Sequence, residues 1–253
     1  MAAVEVVLIL VGGFFAGVIN AMAGGGSLVT VPLLSLAGIG GTLANGTNRV
    51  AVLIQNLGSA WGYTRKGAGN RNQVVQVLAP SVVGSVIGSV AASQINDEVF
   101  ERLFGALMLP LLALTIWRPK TSAANEPWPL WLTMITFLAI GIYGGAVQAG
   151  VGLILVLVLS RAGFDLVTAN AIKTIVILAV TLIAVPVFVI NDQVRWVPAL
   201  VLSVGMGLGG YVGANVAVEG GERVIRPVLV AVVLVLASRM LGLWDVVGDL
   251  LAR

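Results

Sequence analysis

Ala23-Gly24-Gly25-Gly26-Ser27 and Gln148-Ala149-Gly150-Val151-Gly152 interrupt two apolar runs that would otherwise read as continuous membrane helix. Lipid cannot hydrogen-bond a freed peptide group. A break at membrane depth therefore has to be buried in protein or face a watery cavity. Each break is followed by a short apolar stretch and then by a polar cluster that contains a cation. Corresponding interruptions in two parts of one chain are the sequence pointer to a binding site near the bilayer midplane.

Around the breaks the chain is apolar throughout. Hydrophobic residues make up 58% of the 253 and charged residues 10%, against about 25% charged in a soluble domain. Mean hydropathy is +1.04. The length suits roughly eight to ten spans of about 20 residues. There is no Cys and no His, which removes disulfides, thiol chemistry, metal ligation by these residues and histidine proton relays. The net charge of +3 fits basic cytoplasmic loops rather than nucleic-acid binding.

Apolar segments are expected at about 4–22, 28–38, 43–63, 74–92 and 99–117, then at about 128–147, 153–164, 168–190, 196–217 and 224–244. A polar linker, 118–127, separates the two sets. The order long, short, long, long, long occurs twice. Ala44-Asn45 recurs as Ala169-Asn170, Gly84 and Gly88 as Gly209 and Gly213, and Ala37-Gly38 as Ala162-Gly163, all at an offset of about 125 residues. The expected fold class is an all-α integral membrane protein of two homologous halves, each with four to five hydrophobic segments. Residues 1–117 form a first membrane repeat, 118–127 a cytoplasmic linker and 128–253 a second repeat. The short runs reach roughly 17 Å at about 1.5 Å per residue, too little for a core of about 30 Å, so they are expected as broken or re-entrant half-helices. If each short run completes a crossing with its partner stretch, the halves are inverted. If it dips and returns, they are parallel. The loop charges slightly favour inversion.

The chemistry gathers after the breaks. Asn45, Thr47, Asn48 and Arg49 follow the first; Asn170 and Lys173 follow the second. Spacings of four and three residues put amide and cation on one helix face. Helix N-termini at Gly24, Gly25, Gly26 and Ser27, and at Gln148, Gly150 and Gly152, offer N–H groups and partial positive charge to an oxyanion. A cation inside a membrane segment costs at least about 2.5–3.5 kcal/mol and usually marks a substrate path; for Arg49 and Lys173 snorkelling to an interface is the alternative. Every Asp and Glu lies in a loop or near a segment end, so no carboxylate is expected opposite those cations. The set suits a small anion, and a cell negative inside favours anion exit by about 2.3 kcal/mol per charge per 100 mV. No base, nucleophile or metal cluster suits an enzyme; a catalytic site, cofactor or metal is not expected. An anion channel, or an importer of another small organic anion, uses the same residues.

Gly24-Gly25-Gly26-Ser27, Val31-Pro32-Leu33-Leu34, Gly46-Thr47-Asn48 and Trp61-Gly62-Tyr63-Thr64-Arg65-Lys66-Gly67 resemble, in order and spacing, the TauE/SafE family of sulfite exporters. The second half departs from that pattern at Gly150-Val151-Gly152 and Ala171-Ile172-Lys173. The resemblance implies a multi-pass protein of the prokaryotic cell (inner) membrane, with the lipid bilayer and a small anion such as sulfite or an organosulfonate as partners. It implies no nucleic-acid partner, leaves a homodimer open, and implies alternating access between the repeats.

Overall fold

The computed structural model describes residues 3–23, 25–64, 71–117, 128–164, 166–218 and 222–241. Gly24, the linker 118–127 and the basic stretch 65–70 lie outside the described residues. Ten helices run through the rest: α1 (Ala3–Ala23), α2 (Ser27–Leu36), α3 (Gly41–Thr64), α4 (Arg71–Ser93), α5 (Asp97–Trp117), α6 (Leu130–Ala146), α7 (Val151–Arg161), α8 (Leu166–Ile190), α9 (Trp196–Val218) and α10 (Glu222–Met240). The short pair, α2 and α7, has 10 and 11 residues. Helix starts recur 125 residues apart at Gly41 and Leu166, Arg71 and Trp196, and Asp97 and Glu222. Among the described residues three segments, Ala3–Asn20, Val74–Ser93 and Thr168–Ile190, are long and apolar enough to cross a membrane, and five shorter apolar helices accompany them. Large apolar side chains also face outward, among them Phe15, Ile87, Leu182 and Leu208.

Glycine sets how closely the helices pack. Lipid tails are as apolar as leucine, so helices in a bilayer associate through close backbone approach rather than hydrophobic exclusion. On α4 and α6, Gly84 and Gly88 face Gly141 and Gly145 across a seam so tight that a Cβ on Gly88 would sit 1.9 Å from the Ile142 carbonyl oxygen. α1 and α9 repeat the arrangement: a Cβ on Gly17 would lie 2.4 Å from the Met206 oxygen and one on Gly209 would lie 1.8 Å from the Phe14 oxygen. On α9 Gly205 and Gly209 make these contacts; the expected Gly213 lies outside the residues whose side chains are described. Ser81, Ser85 and Ser89 are fully buried along α4; Ser85 donates to the Val180 carbonyl of α8.

These contacts also fix helix directions. Gly12 lies against Leu33 and Gly26 against Asn20, so α2 folds back antiparallel to α1. Gly13 meets Leu202 and Gly17 meets Met206, so α1 and α9 run the same way, as do α4 and α6. Thr47 pairs with Arg195 and Gln55 lies by Gly210, so α3 is parallel to α9. The start of α3 lies beside the end of α8, where Gly46 meets Phe188 and Gln193. The matching helices α1 and α6, α3 and α8, and α4 and α9 therefore point in opposite directions.

Opposite directions are the alternative that the loop charges slightly favoured. In the structure α1 and α2 are the two arms of one hairpin, and α6 and α7 of another.

Candidate functional site

The first hairpin tip is built on Gly25 and Gly26, both buried. The Gly26 N–H donates to Asn20 Oδ1 at 3.2 Å, and Asn20 Nδ2 donates to Gln55 Oε1 of α3 at 2.9 Å. Leu28 N–H is taken by the Gly25 carbonyl, and those of Val29 and Thr30 by the Gly26 carbonyl. One turn into α2, Thr30 Oγ1 donates to Asn48 Oδ1 of α3 at 2.6 Å. Ser27 is buried as the first residue of α2.

The second tip turns through two left-handed residues, Gln148 at φ 63° and Gly150 at φ 65°. Glycine takes that conformation without penalty; a residue with a Cβ costs about 1–2 kcal/mol there. The strain at Gln148 is held by its neighbours. The Tyr143 hydroxyl donates to the Ala149 carbonyl at 2.5 Å, and the N–H groups of Val147 and Gln148 donate to the Tyr143 carbonyl. The Gln148 side chain is buried and its Nε2 donates to Thr181 Oγ1 of α8 at 2.5 Å. Gly150 caps α7 and Gly152 lies in its first turn.

One face of α3 joins the two tips. Asn45, Thr47, Asn48 and Arg49 are all fully buried. Arg49 Nη1 donates to the Gly144 carbonyl at 2.9 Å and Nη2 to the Gly145 carbonyl at 2.5 Å. Asn45 Nδ2 donates to the Ala146 carbonyl at 2.8 Å. These are the last carbonyls of α6, which a terminating helix leaves without partners and which carry its partial negative charge. A guanidinium and an amide, one turn apart on α3, thus cap the broken helix of the other run. The Phe188 ring covers the guanidinium, with Cζ 4.8 Å from its centroid, a cation–π contact. Thr47 points elsewhere: its Oγ1 accepts from the Arg195 N–H at 3.0 Å, where α8 turns into α9.

On α8 the matching residues behave differently. Lys173 is half-buried and its Nζ donates to Asn170 Oδ1, on its own helix, at 2.9 Å. Asn170 also accepts from Thr174 Oγ1 through its carbonyl. The two amide–cation pairs, spaced by four and three residues, differ in use. Arg49 reaches across to the other run, whereas Lys173 binds within its own.

Several buried polar atoms here have no partner: Asn45 Oδ1, Asn48 Nδ2, Arg49 Nε and Gln148 Oε1. Such atoms in a native interior usually mark an unseen water or ion. Arginine has five N–H donors and two of Arg49's are accounted for. Arg49 Nε–H and Asn48 Nδ2–H are thus two buried donors on consecutive residues of α3 without a protein acceptor. The acids lie elsewhere. Asp97 caps the start of α3 through the Thr42 N–H at 2.8 Å and the Thr42 hydroxyl, and Glu101 accepts from Ser35 Oγ at 2.8 Å. Among the described residues the ion pair found is Arg102 with Glu98, on the surface, and no group of three acidic, His or Cys residues is placed to hold a metal.

Sequence reasoning singled out Asn45, Thr47, Asn48, Arg49, Gln148, Gly150, Gly152, Asn170, Lys173 and the first glycine cluster. The structure brings Asn45, Asn48 and Arg49 together between the tips and sends Thr47 toward Arg195. It missed Asn20, Thr30, Tyr143, Thr181 and Phe188. Asn20 carried a signal, being the one amide inside the apolar run of α1. Phe188 carried none.

A family model described as sulfite exporter TauE/SafE matches residues 9–240. Over 240 residues the chain is 28% identical to a Sinorhizobium protein named "Probable membrane transporter protein ORF9", covering 92% of this chain and 91% of that one. It is 27% identical over 232 residues to a "Probable membrane transporter protein" of Haemophilus influenzae, covering 90% and 91%. Against "Probable membrane transporter protein YfcA" of Escherichia coli K12 the identity is 24%, covering 89% and 86%. No solved structure matches. The chain belongs to the sulfite exporter TauE/SafE family, and it is a multi-pass membrane transporter.

Proposed function

We propose that this member of the TauE/SafE family exports a small oxyanion, sulfite or an organosulfonate such as sulfoacetate, across the prokaryotic inner membrane. The observation that carries the proposal is Arg49, a fully buried cation whose described partners are carbonyl oxygens and an aromatic ring, with no carboxylate. Carbonyl dipoles offset part of a buried full charge, and a buried charge favours a counter-charge. The unused donors Arg49 Nε–H and Asn48 Nδ2–H then face the anion, together with N–H groups at Gly25–Ser27 and Gly150–Gly152. The Gly26 N–H is already engaged by Asn20 and the Val151 N–H by the Gln148 carbonyl, so their neighbours carry that role. Gln148, Asn45 and Asn170 orient the substrate, and Lys173 attracts it.

Residues 1–117 and 128–253 act as inverted repeats joined by a cytoplasmic linker, 118–127. Alternating access follows from their unequal grips. In this state Arg49 holds the α6 carbonyls and Lys173 holds Asn170. In the opposite state Lys173 takes up the corresponding end of α1 and Arg49 releases α6.

The test is transport by the full chain in liposomes. Uptake of labelled sulfite, sulfoacetate, taurine and sulfate is measured under imposed potentials and Na⁺ or H⁺ gradients. A sulfur oxyanion is expected to move, to saturate and to show counterflow. Replacing Asn48 by Leu removes one donor and is expected to weaken anion affinity about tenfold, the value of one hydrogen bond to a charged group. Movement of a cation with no sulfur oxyanion would overturn the proposal, and non-saturating flux would replace a carrier by a channel.

A further inference from the structure

A cavity of about 330 Å³ opens away from the hairpin tips, at the far end of α2, where α2, α5 and α10 meet. Pro32, Ser35 and Leu36 line it from α2, Glu101 from α5, and Leu236, Arg239 and Met240 from α10. Two opposite charges, Glu101 and Arg239, share this wall without forming an ion pair: among the described residues the ion pair found is Arg102 with Glu98. Glu101 is held in place, because one of its oxygens accepts from Ser35 Oγ at 2.8 Å. Arg239 is exposed, in the last turn of α10.

We infer that this cavity binds a zwitterion, a primary ammonium a few atoms from an anionic oxygen group, with the ammonium on Glu101 and the oxyanion on Arg239. The charges exclude simpler occupants. A lone anion would meet the Glu101 carboxylate, and a lone cation the Arg239 guanidinium. An apolar molecule would strip water from both and offer neither a partner. The volume falls in the range of small-molecule sites, about 300–1,000 Å³, and exceeds what a bare oxyanion fills. Leu36, Leu236 and Met240 supply an apolar rim for the group that carries the two charges.

The chemistry matches ethanolamine phosphate, which occurs free and as a phospholipid headgroup. Basic pockets between membrane helices bind the anionic part of lipid headgroups; here Glu101 adds an acceptor for an ammonium. Because the cavity bridges α2 to α5 and α10, an occupant would tie the short arm of the first hairpin to two crossing helices. The site does not depend on the anion reading of the hairpin tips.

The full chain is purified into nanodiscs and the lipids retained on gentle extraction are counted by native mass spectrometry. In mixed discs, phosphatidylethanolamine is expected to be retained about tenfold over phosphatidylcholine, whose methylated ammonium cannot donate to Glu101. Both Glu101→Gln and Arg239→Gln are expected to abolish the preference. Arg239 is exposed, so that variant keeps the fold even if Glu101→Gln loosens the Ser35 contact. Soluble phosphoethanolamine is titrated in parallel by calorimetry in phosphatidylcholine discs. Binding of the soluble probe, lost in Arg239→Gln, assigns a free zwitterion; retention of the lipid alone assigns a headgroup. Equal retention of both lipids together with no heat from the soluble probe overturns the inference, as does a preference unchanged in Arg239→Gln.

Discussion

Replacing Arg49 by Gln is expected to release the second hairpin tip. The wild-type side chain makes two hydrogen bonds from a charged donor to the Gly144 and Gly145 carbonyls and lies against the Phe188 ring. Such hydrogen bonds contribute about 1.5–3 kcal/mol each, and the ring contact about 0.5–2 kcal/mol. Glutamine is neutral and shorter, and replaces at most one bond. The net weakening is then about 2–5 kcal/mol, a factor of about 30 to 4,000 in the ratio of docked to released tip. The chain has no cysteine, so a single Val147→Cys gives a clean reporter at a position 3% exposed. Maleimide should label Cys at 147 at least about 30-fold faster with Arg49→Gln than without it. Arg49→Lys separates charge from geometry. Lysine keeps the charge but lacks the two-pronged fork, so it should label at an intermediate rate. Labelling that does not change in Arg49→Gln would mean the guanidinium does not hold α6, and the capping argument would fail.

Three further outcomes follow from the packing. Gly88→Ala puts a Cβ 1.9 Å from the Ile142 oxygen and should cost about 1–3 kcal/mol, read as a lower Tm in detergent. Gly207→Ala, where nothing lies within 4 Å, should leave Tm unchanged or raise it slightly, since alanine favours a helix by about 1 kcal/mol over glycine. Asp97→Asn removes a negative charge from the start of α3, where it accepts from Thr42. Hydrogen exchange at Thr42 should quicken by roughly tenfold, the effect of one such bond and the helix dipole.

The helices were legible because hydropathy marks them: all ten segments expected from sequence reappear with ends shifted by a few residues. The directions were not. A glycine break is compatible with a chain that continues or one that turns back, and periodicity carries no sense of up or down. Direction came from contacts between distant residues, such as Gly17 with Met206. The role of Arg49 was hidden for the same reason. From sequence it faced substrate or snorkelled. Its partners proved to be backbone carbonyls 95 and 96 residues away, and a backbone group has no letter in the sequence. Asn45 gave more, since an amide beside a helix break is a natural cap, and it does cap Ala146.

Most of the described ties to the tips come from α3. Gln55 and Asn48 hold the first hairpin through Asn20 and Thr30, and Asn45 and Arg49 hold the second through its last carbonyls. From α8, Thr181 holds Gln148 while Lys173 turns back to Asn170. Residue chemistry explains part of this inequality. A guanidinium can span two adjacent carbonyls and remains charged when buried, whereas an ammonium offers a compact point charge on a flexible stem. Arginine on α3 therefore suits a fixed clamp, and lysine on α8 a grip that can be exchanged. An exact two-fold arrangement would leave two equally held hairpins and no preferred resting state. With one hairpin clamped by a fork and the other tied through α3's amides, the resting state is set by which helix carries the arginine. Exchanging the two cations, as Arg49→Lys with Lys173→Arg, should move the labelling of a Cys at 147 toward the released rate even though the total charge is unchanged. If the tip stays protected in that double variant, the position of the arginine does not set the resting state.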